Sequence, residues 1–182
     1  TVNLEACPRP DNPAINLCGS PSDLALIKNN LALIPTFSGY LLVVDVSSPQ
    51  NPTLITAFRP DGYSARRIAA TPEYAFTDES GNNMVIDLAV TSTSGSQGGI
   101  HTVDVTEPYN PKVLGVLKDS SGNVVNNILA ADITISKASG LVYVTAGSSV
   151  YVIDIKDPYN PVILNIITQA PDAGGTMTSL GW

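Results

Sequence analysis

The apolar positions of this chain fall in short runs, and one run-and-turn phrase recurs along it. Leu41-Leu42-Val43-Val44, Val103 and Val152-Ile153 each lead into an aspartate, then into two prolines three residues apart, then into a second apolar run. Short runs rich in β-branched residues and bounded by Pro, Asn and Gly predict strands, not helices. The first copy reads VVDVSSPQNPTLI, with Asp45, Pro49, Asn51 and Pro52. The second, HTVDVTEPYNPKVL, has Asp104, Pro108, Asn110 and Pro111, and the third, YVIDIKDPYNPVIL, has Asp154, Pro158, Asn160 and Pro161. A degenerate copy, ACPRPDNPAI, keeps Pro10, Asn12 and Pro13 but has Ala6 in the aspartate position. The four asparagines are spaced by 39, 59 and 50 residues. Spacings of this size mark an array of supersecondary units.

The phrase reads as strand, rigid turn, strand. Its first proline fixes φ and lacks an N–H, so a ladder stops there. The asparagine before the second proline is pushed toward extended backbone, and its amide can bond nearby groups. The aspartate is placed to accept turn N–H groups at the strand end. Two further strand-like pieces stand in each period: 23–30 and 31–37, then 63–74 and 83–93, then 127–140 and 141–149. Apolar runs without strict alternation predict sheets covered on both faces. Four strands per period in stacked sheets predict an all-β fold, a β-propeller with blades of four antiparallel strands and on the order of 45 residues each. The expected division of a single propeller region is 21–62, 63–122 and 123–169 for three blades. Residues 1–20 are expected to form a partial blade with a hairpin, and 170–182 to begin a further one.

LLVVDVSSPQNP, IHTVDVTEPYNP and VYVIDIKDPYNP resemble the LVIVD repeat of bacterial and archaeal cell-surface proteins. The resemblance covers three full copies and the degenerate fourth, and departs at Ala6 and at His101-Thr102, where the apolar run is diluted. It implies propeller blades and an extracellular or cell-surface location, and it carries no catalytic motif. Two readings of the ends remain open: a blade shared between them closes a small four-bladed ring, or the chain is a segment of a larger propeller. The second is preferred, because the two ends together hold fewer residues than the smallest repeat spacing.

Composition narrows the partners. Apolar residues are 43% of the 182 and charged ones 14%, against about 25% charged in an average domain, so a folded chain is expected. Nine Lys+Arg against sixteen Asp+Glu, net −7, leave no basic stripe for nucleic acid or an anionic membrane. No apolar run approaches the roughly 20 residues of a membrane span. The chain begins at Thr1 without a signal-peptide pattern, so a processed chain or a piece of a longer one is expected. Cys7 and Cys18, the only cysteines, flank the PDNP bend. Either they bridge across that hairpin, for about 2–3 kcal/mol, or they are two buried thiols. A bridge implies an oxidising compartment.

The search for chemistry turns up little. His101 is the only histidine, too few for a zinc or copper centre in one chain, and is read as a packing residue. There is no nucleophile elbow and no Cys/His pair with an orienting group. SGSQGG (94–99) lacks the lysine of a phosphate loop and reads as a flexible connection. TDESGNN (77–83) gathers Asp78, Glu79, Asn82 and Asn83 with Asp87 nearby; a solvated loop is preferred there over a weak calcium site. Arg66 and Arg67 are adjacent in an expected strand and so are expected to point to opposite faces. One of them either enters the central channel to hold an acidic group or makes a blade-to-blade salt bridge, the latter preferred. Tyr109 and Tyr159 share one turn position, either as a binding surface or packed over their own prolines. No cofactor and no metal are expected. The expected function is a non-enzymatic module that binds protein or glycan at the cell surface, or acts as a scaffold for neighbouring blades or domains of its parent. The alternative is part of a propeller enzyme whose site is completed by blades absent from this chain.

Overall fold

The computed structural model describes residues 19–28, 30–59, 64–94, 99–126 and 128–168. Cys7, Cys18, Asn12, the expected partial blade before residue 19, the expected blade start after 169 and most of the SGSQGG connection lie outside the described residues. The described residues contain twelve strands and no helix. Blade 1 is β1 (Ala25–Ile27), β2 (Leu31–Pro35), β3 (Leu41–Asp45) and β4 (Thr53–Phe58). Blade 2 is β5 (Ser64–Thr77), β6 (Asn83–Ser94), β7 (Ile100–Asp104) and β8 (Lys112–Val116). Blade 3 is β9 (Ala130–Ser136), β10 (Leu141–Ala146), β11 (Ser149–Asp154) and β12 (Val162–Thr168). Within each sheet the strands lie in chain order and every pairing is antiparallel. These are β-propeller blades of four antiparallel strands.

The recurrent phrase forms the third strand, the turn and the fourth strand of each blade. The register repeats: Asp45 faces Thr53, Asp104 faces Lys112 and Asp154 faces Val162. Between them Asn51 N–H donates to Ser48 O at 2.9 Å, Asn110 N–H to Glu107 O at 2.9 Å, and Asn160 N–H to Asp157 O at 3.1 Å. Pro49, Pro108 and Pro158 thus sit second in a four-residue turn, where their fixed φ is already correct. One step into the ladder each blade has a register shift, at Val43/Val44, Thr102/Val103 and Val152/Ile153, a bulge that bends the outer strand.

Alternate residues of each strand face the neighbouring blades. Leu33, Leu41 and Val43 of blade 1 pack on Ile68, Ala89, Val103 and Val105 of blade 2. Leu88, Val90 and Ile100 of blade 2 pack on Val142, Val144 and Ile153 of blade 3. The expected coverage of both faces holds for β3 and β7, whose residues from Leu41 to Val44 and from Ile100 to Val103 are all buried. It fails for β12, the edge strand of blade 3, where Leu164, Ile166 and Ile167 are 55%, 44% and 52% exposed.

Strand β5 runs three residues past its expected end at Tyr74. Thr71 pairs with Leu88 and Tyr74 with Ile86, so Pro72 and Glu73 bulge out, which a strand at the inner edge of its sheet tolerates. Glu73 has φ 53°, and its N–H donates to Asp87 Oδ1 at 3.0 Å. Asp87 also pairs with Lys28 of blade 1 at 3.0 Å. The hydrogen bond to Asp87 is the main reason the Lys28 ammonium titrates above its ordinary range.

Candidate binding surface

In an antiparallel four-stranded blade the first-to-second and third-to-fourth turns lie at the same end. That end therefore gathers the three repeat turns and the turns around 28–30, 78–82 and 137–140. Each repeat aspartate accepts the N–H two residues on. Asp45 Oδ1 accepts from Ser47 at 2.8 Å, Asp104 Oδ1 from Thr106 at 2.9 Å, and Asp154 Oδ1 from Lys156 at 2.8 Å. The Ser47 backbone N–H, aided by its hydroxyl, holds the Asp45 carboxyl below the ordinary range. These carboxylates are turn acceptors.

The two tyrosines part company. Tyr109 is 78% exposed. Tyr159 is half-exposed and packs on Phe76 of blade 2, ring centroids 5.9 Å apart and planes at 58°. Its turn is docked against blade 2. The buried Thr102 hydroxyl donates to Pro158 O and lies 3.2 Å from Gly115 O. Lys118 N–H donates to Pro161 O at 3.0 Å, and Asn160 Nδ2 to Glu79 Oε1 at 2.9 Å. Gly115 makes room: a Cβ there would stand 2.5 Å from Tyr159 O and 2.8 Å from Pro158 O. The departure at His101-Thr102 now has its reason, since Thr102 binds the next blade's turn. His101 is buried beside Thr93 Oγ1, 3.5 Å from its Nδ1.

A second recurrent turn escaped the sequence reading. DESGN (78–82) and DSSGN (119–123) share the pattern Asp-x-Ser-Gly-Asn. Asp78 Oδ1 accepts from Ser80 and Asn82 N–H at 2.9 and 2.8 Å, and Asp119 Oδ1 from Ser121 and Asn123 N–H at 2.8 and 2.9 Å. Gly81 and Gly122 take φ 82° and 84°, open to glycine without strain. Asn82 and Asn123, bonding through side chain and backbone, lower both carboxyls' pKa below the usual value. Asp78 is therefore engaged by its own loop, and Glu79 by Asn160. Spacing alone could have found this motif.

Arg66 is the extra residue of a bulge, since Ala65 pairs with Thr93 and Arg67 with Ser92. Its guanidinium lies over Phe37, 5.6 Å from the ring centroid, at the end opposite the repeat turns. Arg67 Nε donates to Ala131 O and its Nη1 to Ser22 O at 2.9 Å. It ties the inner edges of all three blades through carbonyls, in place of the salt bridge expected for this pair. Among the described residues, the ion pairs between blades run from Lys28 to Asp87 and, at 3.7 Å, to Glu73.

Between blades 2 and 3, at the repeat-turn end, lies an open cleft of ≈ 490 Å³. Its walls are the end of β5, with Tyr74 and Phe76, the 137–140 turn, and Lys156-Asp157. Lys137 Nζ donates to Pro72 O at 2.7 Å, and Lys156 Nζ lies 3.4 Å from Asp154 Oδ2. Tyr74 is buried and donates its hydroxyl to Ile155 O at 2.8 Å. Among the described residues no three His, Cys, Asp or Glu side chains stand together as a metal site.

The LVIVD repeat family model matches residues 19–59, the whole of blade 1. This segment is an LVIVD repeat. Blades 2 and 3 set their aspartate, prolines and asparagine in the register of that LVIVD blade. No curated protein matches the chain. A crystal structure of a functionally unknown protein from Desulfotomaculum acetoxidans DSM 771 is similar over 85% of this chain and 72% of its own. Its identity is 13% and its TM-score 0.36.

Proposed function

We propose that this chain is a non-enzymatic propeller module, outside the cell or on its surface, that binds a protein or a glycan through the end bearing its repeat turns. The observation that carries this is Tyr109, a large aromatic left 78% exposed while its counterpart Tyr159 is packed on a neighbouring blade. An exposed tyrosine offers apolar area and a hydroxyl at small entropic cost. The turn beneath it is rigid, fixed by Pro108, by the bond from Asn110 to Glu107 and by the Asp104 carboxylate. Ordering costs on binding are correspondingly low. The surface location is supported by the LVIVD match of blade 1 and by the pair of cysteines in the sequence.

The test is a binding screen of the chain against arrays of surface glycans and peptides, repeated with Tyr109→Ala and with Phe37→Ala at the opposite end. Specific binding that weakens about tenfold, or roughly 1.4 kcal/mol, in the first variant and not in the second supports the reading. Binding indifferent to Tyr109, or turnover of any screened compound, overturns it.

A further inference from the structure

We infer that the face of blade 1 turned away from blade 2 is a docking surface for the chain's own first repeat phrase, residues 1–18.

Blade 1 meets blade 2 through Leu33, Leu41 and Val43. Its other face is carried by Ala32, Leu42 and Val44. Among the described residues nothing from another blade joins that cluster, whose remaining members run from Ile34 to Ala57 of blade 1 itself. A sheet packed on one side leaves its other side to solvent. Yet Leu42 is 0% and Val44 3% exposed. The burial stops toward the inner edge, where Leu26, the partner of Ala32, is 65% exposed. A cover therefore lies over the outer strands of this face and falls short of β1.

The repeat points to the occupant. The degenerate phrase stands 39 residues before the first full copy. The same offset sets Ala25, the start of β1, on Ser64, the start of β5. Residues 1–18 thus lead into blade 1 as the third and fourth strands of blade 1 lead into blade 2. The other long stretch outside the described residues, 169–182, follows blade 3 and has no Pro-x-Asn-Pro phrase.

On this offset Val2 and Leu4 take the places of Leu41 and Val43, which face the following blade. Leu17 takes the place of Thr56, the partner of Val43. Asn3 and Glu5 take the places of Leu42 and Val44. Alternating apolar and polar residues suit a strand with one covered face, whereas Leu41–Val44 is apolar throughout. The apolar side, Val2, Leu4 and Leu17, meets blade 1, and the polar side turns away from it. Leu26 stays uncovered because the phrase supplies a third and a fourth strand and no inner one.

The experiment incorporates photo-leucine into the full, unmutated chain, as a mixture of isotope-labelled and unlabelled molecules, and maps crosslinked peptides by mass spectrometry. Expected are crosslinks within one molecule from Leu4 or Leu17 to the stretch 32–46. Their absence, their replacement by crosslinks to blade 3, or crosslinks joining two molecules overturns the inference. Carbene footprinting adds a second readout. Leu42 and Val44 should be unlabelled in the parent and rise to the level of Leu26 in Val2→Asp/Leu4→Asp, while Leu88 and Val142, buried between blades 2 and 3, stay unlabelled. Glu5→Gln should leave the footprint unchanged. Leu42 and Val44 protected in the double variant, or labelled in Glu5→Gln, count equally against the docking. Labelling of Leu88 as well would mean that the double variant has unfolded, and the crosslinks of the unmutated chain then decide.

Discussion

Asp78 and Asp119 both contribute to this protein's acid behaviour. Each is held below the usual carboxylate pKa of 3.8 by N–H groups of its own loop, led by those of Asn82 and Asn123. The folded values being lower than the unfolded ones, the stability these groups contribute is complete above the unfolded value. It is lost as pH falls through that value toward the folded one. The double variant Asp78→Asn/Asp119→Asn should therefore lose less stability than the parent between about pH 5 and about pH 3. Urea midpoints at the two pH values measure this, and equal losses would refute it. The 77–83 loop was legible in the sequence, and its recurrence at 119–123 was not read there. The direction of the carboxylates was not legible, because it depends on which N–H groups the folded loop turns inward.

Between elements, the decisive contact is the docking of the blade 3 repeat turn on blade 2. The register makes Val43, Thr102 and Val152 equivalent, and likewise Thr56, Gly115 and Asn165. Blade 2 departs from its neighbours at both positions, and both departures face the 157–161 turn. Replacing either residue should therefore harm the protein. Thr102→Val leaves Pro158 O without its buried donor, at about 1–2 kcal/mol. Gly115→Ala forces a methyl against backbone carbonyls that cannot swing aside, at about 1–3 kcal/mol. Denaturant unfolding of each variant checks these figures, and a loss under roughly 0.5 kcal/mol, the range of a neutral surface change, would mean the turn is not fastened there. The strands and prolines of this hairpin could be read from the sequence. Its docking could not, because the receiving groups lie more than 40 positions away in the chain.

At the scale of the molecule, polar side chains join what the apolar clusters bring together. Arg67 spans three blades, and Tyr74 of blade 2 donates to Ile155 O of blade 3. Burial, with the nearby Asp154 charge as the smaller cause, pushes the Tyr74 phenol up to about 12. A group whose folded pKa is raised gives its stability in full below the unfolded value of 10.0 and loses it as pH climbs through the folded one. Tyr74→Phe should cost about 1 kcal/mol near neutral pH through the lost hydrogen bond. It should also remove this step in alkaline destabilisation between pH 10.0 and about 12. Thermal unfolding across that interval decides the matter, an unchanged alkaline profile counting against the assignment.

Local chemistry by itself determined the strands, the proline-fixed turns and their recurrence, since β-branched runs and Pro-x-Asn-Pro constrain the backbone within a few residues. It placed the repeat aspartates at strand ends for the same reason. Only the tertiary structure decided which tyrosine stays exposed, where Arg67 reaches and how the cleft is walled. Each of those depends on side chains brought together from different blades, and blade packing is set by the summed burial of whole sheet faces, to which no single stretch of sequence has access.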